Sequence, residues 1–459
     1  MTMKKLVSII FIVFLCFEST AQNKQILFGF AEIPQTLMVN PGAETNFNYH
    51  IGVPGLSGVS LNFGASSGTI SDLFLNDGAS FTGKVGNLIS KLTERDFISI
   101  TSQIDVLNGG YRLDEKTYLS FGFYEELDFV GYFPKDIAEL LYYGNAPAIN
   151  KSVHFSQMKF RGEVLGVLHA GISRKMNSKL NLGARFKLYS GSINIHSTNN
   201  AGTLTTIDGG DNIYRHHLSN VDAEIRTSGL YKEDDLNIGS KNVISNSFLS
   251  ENIGVGLDFG FTYHHTPQIE FTGSILDLGF ISYSKDVKSL TIKGDYTFDG
   301  IELLYDSNNT DYWSELDSDF KANVPRETNT DSYISWRPLK FNAAVKYSFG
   351  RARINKECYD VTYKEYYNNS IGLQLYSITR PLSNQIAATV FLEKGIGEKF
   401  SAKFTYTADD YSFSNLGIGM SAHFGLFHVY GMAGNVMRLS DIATANSASL
   451  QFGFNLIFD

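Results

Sequence analysis

The sequence predicts an all-β protein, a transmembrane up-and-down antiparallel β-barrel, from two observations. From Asn252 to Tyr263 bulky apolar residues occupy one parity, while glycine, Asp258 and Thr262 occupy the other. Successive side chains leave a strand on opposite faces, and a membrane-crossing strand needs about 9–11 residues, so this stretch fits one. The composition agrees: 35 Phe, 25 Tyr and 42 Gly accompany only 9 Pro, and the mean hydropathy is −0.10. Such values are typical of an apolar exterior around a wet interior.

Residues 1–21 are predicted to be a cleaved signal peptide. Lys4 and Lys5 precede a short apolar run, and Ser19, Thr20 and Ala21 supply small side chains at the cleavage position. Beyond this leader no apolar run approaches the 18 residues of a helical membrane span. We therefore expect export to the outer membrane.

Residues 22–46 form a separate N-terminal unit in this interpretation. Asn40, Pro41 and Gly42 read as a turn, because a Pro-Gly pair after Asn favours one. Since the unit precedes the first strands, it either enters the lumen as a plug or lies in the periplasm. Residues 47–459 form the predicted barrel.

The strands of that barrel are predicted from alternation, taken in chain order, and number about 14 within a range of 12 to 16. They fall at 47–63 in two runs, 98–107, 118–124, 164–172, 180–189, 252–263, 269–284, 290–296, 341–349, 371–375, 386–392, 400–406, 416–424, 426–436 and 448–458. Short helices are expected at 84–93 and 136–143, within long loops. Residues 199–220 and 231–250 are expected to be polar loops, and 284–288 a short turn.

Long loops on one side and short turns on the other are usual in such barrels. If the C-terminus is periplasmic, the excursions at 65–96, 127–157, 197–218 and 300–336 fall outside. The stretches 231–250 and 351–366 are exceptions, long on the periplasmic side, so one strand is open to miscounting.

Four charged residues are the candidate lumen residues. Arg185 and Lys187 lie on the polar parity of 180–189, and a basic side chain facing lipid at mid-depth would cost roughly 2–4 kcal/mol. Asp258 and Asp277 are carboxylates within apolar or glycine-rich strands. Each is expected to pair with a base such as Arg185 or Lys187, holding a plug or tuning a pore. A single water-exposed lumenal carboxylate is an equally open alternative.

Several functions are disfavoured. The net charge of −9, or −10 once Lys4, Lys5 and Glu18 leave with the leader, argues against nucleic acid as a partner. Cys358 alone in the mature chain allows no intramolecular disulfide. No cofactor is expected.

Motifs for metal binding and hydrolysis are weak. The pairs at 216–217 and 264–265 are interpreted as solvated loop histidines, and the acidic run at 306–319 as a solvated loop, so no metal site is assigned. Residues 64–68 match the G-x-S-x-G pattern, but a Gly/Ser-rich loop is the simpler interpretation, and no enzyme is predicted.

Four blocks carry a family resemblance: residues 38–42, 180–187, 256–260 and 275–281. On these the mature chain resembles a Bacteroidota-type family of outer-membrane barrels of unknown function. That family is distantly similar to fatty-acid-transporter-like barrels and to barrel subunits of the type IX secretion system. The resemblance implies a 14-stranded barrel with an N-terminal segment folded inside, and no catalytic residues.

Two functions remain open on the sequence alone. The first is passage of small apolar or amphipathic solutes, which expects an apolar pocket in the lumen and a break in one wall. The second is a non-enzymatic membrane partner of a secretion or gliding-motility machinery, which expects a filled lumen. An outer-membrane lipid hydrolase is third. Outer-membrane lipid is the expected surrounding in every case.

Overall fold

The structure, a computed structural model, describes residues 24–132, 135–144, 146–208, 214–232, 235–236, 240–248, 250–298, 326–351, 367–397, 399–411, 413 and 415–458. The predicted signal peptide, the acidic run at 306–319 and the loop at 352–366 lie outside these residues. Among the described residues, no helix combines the length and the apolar character needed to cross a membrane.

The chain is built almost wholly of strands. They are β1 (Tyr49–Gly52), β2 (Val59–Ala65), β3 (Phe97–Asp114), β4 (Thr117–Tyr132), β5 (Ser152–His154), β6 (Phe160–Lys175), β7 (Leu180–Asp208), β8 (Tyr214–Ser228), β9 (Tyr231–Lys232), β10 (Asp235–Leu236), β11 (Ile253–His264), β12 (Ile269–Tyr283), β13 (Val287–Phe298), β14 (Arg326–Asn329), β15 (Tyr333–Trp336), β16 (Lys340–Arg351), β17 (Tyr367–Ile378), β18 (Gln385–Ile396), β19 (Phe400–Ala408), β20 (Asn415–Phe424), β21 (Phe427–Gly434) and β22 (Ser447–Phe458).

The helices among the described residues are short. They are α1 (Thr36–Val39), α2 (Ile70–Phe74), α3 (Phe81–Lys91), α4 (Lys135–Tyr143) and α5 (Ser240–Phe248), with 3₁₀ turns at Ala146–Ala148, Phe155–Gln157 and Val436–Thr444. Thr69 and Asp72 form a reciprocal capping box that starts α2. The helices predicted at 84–93 and 136–143 correspond to α3 and α4.

Fourteen antiparallel strand positions close into a ring, which confirms the predicted all-β barrel. The first position is shared by β1 and β2, both of which pair with β22 and so join the two ends of the chain. The other thirteen are β3, β4, β6, β7, β11, β12 and β16 to β22. The C-terminus lies at the end with the short turns at 115–116, 176–179, 265–268 and 425–426, which we call the turn end; the opposite end is the loop end.

The outer surface of the ring is apolar. Along β11 the side chains alternate between exposed and buried from Ile253 to Gly260, and the exposed ones are the bulky apolar set. Phe186, Phe259 and Phe454 are 50%, 45% and 39% exposed, so no second sheet covers them. A surface of this kind is stable only against hydrocarbon, because a contiguous apolar band costs free energy in water.

One part of the wall extends beyond the ring, contrary to the loop predicted at 199–220. β7 runs for 29 residues, and its far half pairs with β8, which in turn pairs with β13. The prediction failed because this part is polar on both faces, so it carries no alternation. The turn predicted at 284–288 is also wrong, since β12 and β13 continue in one direction on either side of residues 284–286.

Residues 229–252 are an insertion within one descending strand, formed by β8 above it and β11 below it, and not a periplasmic loop. The insertion lies on the outside of the barrel. The Phe248 ring stacks on outward-facing Phe123, with centroids 4.7 Å apart, and Ser190 Oγ donates to the carbonyl of Asn246 at 2.8 Å. Asn252 restores the wall below it, with its backbone oxygen accepting from Gly191 N–H at 2.8 Å.

Candidate functional site in the barrel lumen

The polar parity of the strands faces inward, and the described N-terminal segment, residues 24–46, fills the space that it encloses. Leu27, Phe28, Phe30, Ile33 and Val39 of this segment form a buried apolar cluster with Tyr430 and Met432 of the wall. Burial of these side chains is favourable by roughly 1.5–3 kcal/mol each. An apolar cluster therefore occupies an otherwise polar lumen.

Lys403 holds the first half of the segment. Its Nζ donates to the carbonyl of Phe28 at 2.5 Å and lies 4.4 Å from the ring centroid of Phe391. Gln35 and Asn455 exchange two amide hydrogen bonds, at 2.9 and 3.0 Å. These contacts fix the segment against β19 and β22.

The turn at Asn40, Pro41 and Gly42 presses against bare backbone of the wall. A Cβ placed on Gly183 would lie 2.0 Å from the Pro41 carbonyl oxygen, and one on Gly42 would lie 2.4 Å from the Gly260 carbonyl oxygen. Gly42 N–H donates to Asn40 Oδ1 at 2.9 Å, which closes the turn. Glycine is required at these positions because any side chain would collide with the opposing backbone.

Wall side chains bind the carbonyl oxygens of the second half of the segment. Ser274 Oγ donates to Val39 at 2.6 Å, Thr262 Oγ1 to Gly42 at 2.8 Å, Asn181 Nδ2 to Gly42 at 3.1 Å and Ser173 Oγ to Ala43 at 3.0 Å. These side chains come from four different strands, β12, β11, β7 and β6. Each buried carbonyl of the segment named here is thus satisfied by the wall.

Arg185 joins the segment to the charged lining. Its guanidinium donates to the carbonyls of Leu37 and Met38, the latter at 3.2 Å, and lies 3.3 Å from Asp258 Oδ2. Leu37 and Met38 belong to α1, so the positive charge sits where the partial negative charge of a helix end lies. One side chain therefore binds the wall carboxylate and the segment together.

All four candidate lumen residues are buried and lie together. Lys187 Nζ is 2.9 Å from Asp258 Oδ2 and 2.6 Å from Asp277 Oδ1, so the alternative of a single water-exposed carboxylate does not describe either Asp. A bulge sets this geometry: Asp277 has φ +64°, and its N–H donates to Asp258 Oδ1 at 2.7 Å. A non-glycine residue with positive φ is uncommon, and Asp tolerates it better than most.

The charged chain continues beyond the four residues that the sequence singles out. Lys340 Nζ bridges Asp277 at 2.8 Å and Glu126 at 3.2 Å, and Arg337 lies 3.0 Å from Glu126. Arg337 also bonds Glu163. The signal for Glu126 lay in the polar parity of β4, but the strand expected there ended at 124, two residues too early.

His264 is a buried lumenal residue and not a solvated loop histidine. Its Nε2 is 3.1 Å from Glu44 of the segment, and its Nδ1 is 3.8 Å from Glu270 of the wall. His216 and His217 lie within β8, each bonded to a threonine hydroxyl, at 3.0 and 2.9 Å. In the described part of the chain no group of three or more His, Cys, Asp or Glu is placed to hold a metal ion.

Ser66, the central residue of the G-x-S-x-G match, has a structural role. Its Oγ donates to Asp96 at 2.7 Å and accepts from Phe97 N–H at 2.9 Å. Both contacts tie the end of β2 to the start of β3. A nucleophilic serine needs a general base within hydrogen-bond reach, and Ser66 has a carboxylate there in place of a histidine.

Three cavities lie between the segment and the wall, and all are small. Their volumes are about 30, 50 and 40 Å³. Lys24 lines the first two, and Glu44 and His264 line the third. Spaces of this size hold one or a few waters. With the segment in place, none of the three has room for a solute of even modest size.

A family model described as a family of unknown function (DUF5723) matches residues 41–434, and no curated protein matches the chain. Among solved structures the chain is similar to the toluene transporter TbuX of Ralstonia pickettii, with 8% identity and a TM-score of 0.40 over 93% of this chain and 94% of that one. It is similar to a FadL homologue of Pseudomonas aeruginosa, with 9% identity and a TM-score of 0.41 over 96% and 99%. For the toluene transporter TodX of P. putida the values are 8% and 0.36, over 96% of each chain.

Proposed function

The chain belongs to this family of unknown function, and we propose that it is an outer-membrane channel closed by its own N-terminal segment. In this proposal small apolar or amphipathic solutes pass when residues 24–35 move away from the lumen wall, while residues 36–46 stay bound to it. The observation that carries the proposal is the apolar cluster around Phe28 and Phe30 inside a polar lumen.

The two halves of the segment are held differently, and this supports movement of the first half alone. The wall hydrogen bonds from Ser274, Thr262, Asn181, Ser173 and Arg185 all go to residues 37–43. The first half contributes the apolar side chains of the cluster, whose packing is non-directional. Displacing it breaks fewer of the directional bonds named above.

The chemistry of the cluster favours an apolar cargo. A solute that replaces Leu27, Phe28 and Phe30 against Tyr430 and Met432 gives back much of the apolar contact that the segment loses. An ion in the same place would lose hydration without a partner of its own. The cluster therefore disfavours ions at this level of the lumen.

A cross-link tests whether the first half must move. A Cβ on Gly419 would lie 2.7 Å from Cγ2 of Ile26, so cysteines at these two positions fall within the 3.5–4.5 Å range of Cβ separations in disulfides. The variant is Ile26→Cys with Gly419→Cys, made with Cys358→Ser so that no other mature thiol interferes.

Entry of the apolar dye N-phenyl-1-naphthylamine into cells is the readout. We expect the oxidised double variant to admit dye at the rate of cells lacking the protein, and reduction to restore the wild-type rate. The two single-cysteine variants are the matched controls and should not respond to reduction. Equal entry in the oxidised and reduced double variant contradicts the proposal.

A second candidate rests on the same filled lumen. Cavities of about 30–50 Å³ and a polar insertion folded onto the outer wall suit a membrane-anchored, non-conducting partner of a secretion or gliding-motility machinery. Deletion of residues 22–35 separates the two candidates. A channel gains dye entry on this deletion, whereas a non-conducting partner gains none and co-purifies with machinery subunits when tagged.

A further inference from the structure

An apolar groove of about 610 Å³ lies on the outer face of the barrel, away from the lumen. Its floor consists of small outward residues, Ala184, Gly273 and Ala343, and its sides consist of Phe259, Phe261 and Phe341. These residues come from four adjacent strands, β7, β11, β12 and β16. Elsewhere on the described wall the outward positions are mostly bulky, so the run of small residues produces the concavity.

The groove has the size of a ligand site. Pockets that bind small molecules typically measure about 300–1,000 Å³, and this one lies within that range. It opens on the apolar band of the barrel, where the surrounding medium is lipid and not water. The occupant must therefore be apolar along its length within the membrane.

The edge of the groove toward the turn end carries positive charge. Arg174 lines the groove, is exposed, and lies one residue before the end of β6. Exposed Lys116 and Lys179 lie in the two adjacent turns, together with the acidic Asp114 and Glu115. Arg174 is the one charged residue of the lining, and a guanidinium binds phosphate through paired donors.

We propose that this groove binds a phospholipid of the leaflet at the turn end, with an acyl chain between the three phenylalanines and the headgroup phosphate on Arg174. The apolar lining and the single cation at one end match a ligand with one charged group and a long chain. A second copy of this chain fits less well, because its outward strands present rows of Phe and Leu in place of one narrow ridge. The site is outside the lumen, so it does not depend on the channel proposal.

Native mass spectrometry of the delipidated full chain in detergent tests the site, with dioleoyl phosphatidylglycerol as the probe. We expect one lipid to bind wild type, and Ala184→Phe or Ala343→Phe to weaken that binding about tenfold or more by filling the groove. Tenfold corresponds to about 1.4 kcal/mol. The matched control is Ala402→Phe, an outward alanine on β19 that the groove does not include, and it should leave binding unchanged.

Arg174→Gln tests the headgroup contact separately. It should weaken binding of the phosphate-bearing lipid by about fivefold and leave binding of a neutral diacylglycerol unchanged. Equal binding by wild type, Ala184→Phe and Ala343→Phe would overturn the proposal. So would a dimer that lipid does not displace and that either groove-filling variant abolishes, since the occupant would then be a second copy.

Discussion

Replacing Arg185 with methionine tests the link between the segment and the barrel most directly. The change keeps much of the side-chain length but removes the donors to the carbonyls of Leu37 and Met38 and the charge beside Asp258. Loss of one partner from a buried ion pair typically costs 3–5 kcal/mol. Here Asp258 keeps Lys187 at 2.9 Å, which places the loss from the pair near about 3 kcal/mol.

The carbonyls add to that cost. A buried acceptor left without its donor costs about 1–3 kcal/mol, and Arg185→Met removes the donor from two of them. If the second half of the segment stays in place, the total loss is on the order of 4–6 kcal/mol. If it detaches, water reaches the carbonyls, the loss is smaller, and the segment becomes accessible to protease.

Two measurements separate these outcomes: urea unfolding of the folded barrel in detergent, and limited proteolysis at the N-terminus. Arg380→Met is the matched control, since Arg380 is also a buried lumenal base and bonds Asp128 at 2.8 Å. It should destabilise the barrel without exposing the segment. A loss below about 1 kcal/mol for Arg185→Met, with an uncut N-terminus, would refute the reasoning.

A double-mutant cycle with Asp258→Asn refines the test. Because the two side chains share one contact, their effects should be non-additive by about 1–3 kcal/mol, the double variant being less destabilised than the sum. Strict additivity would mean that Lys187 alone neutralises Asp258 and that Arg185 acts only on the segment.

Further predictions concern three other parts of the chain. Gly183→Ala should lower the free energy of unfolding by about 1–3 kcal/mol by collision with the segment, whereas Gly431→Ala, where an added Cβ meets nothing within 4 Å, should be neutral in the same urea titration. Asn252→Ala should increase amide hydrogen exchange in the insertion 229–252, since it removes side-chain bonds to two neighbouring strands. Thr69→Ala should cost α2 about 1 kcal/mol, read from exchange of its amides. The Thr69 hydroxyl lowers the pKa of Asp72, so the wild-type cap is intact above the ordinary carboxyl pKa and is lost as the pH falls through the lowered value, a dependence that Thr69→Ala should reduce.

The barrel could be predicted from the sequence because its signal is local. In β11 each residue declares its face by type, and Phe259 beside Gly260 is enough to fix the parity. β7 and β8 beyond the ring were missed since both of their faces meet water, which removes the contrast that marks a strand. The insertion 229–252 was misplaced for a related reason: its location depends on pairing of β8 and β11 with the same strand β7, a relation between distant residues.

The candidate site was predictable in its members and not in its connections. Arg185, Lys187, Asp258 and Asp277 stand out as charges on strands, and a charge on the polar parity of a barrel strand faces the lumen. Which base meets which acid depends on strand order and register. The positive φ of Asp277, which turns both carboxylates toward Lys187, leaves no trace in the sequence pattern.

The segment is part of the wall as well as a filling for it. Ala184 and Gly273, on the outer side, offer little apolar packing between β7, β11 and β12, while on the inner side Asn181, Thr262 and Ser274 of these strands all bind carbonyls of residues 39–43. The second half of the segment thus cross-links three strands where their outer face is thin. Removing it would weaken the ring itself, because three buried donors would lose their acceptors at once. Any opening compatible with a stable barrel must therefore move residues 24–35 and keep residues 36–46 in place.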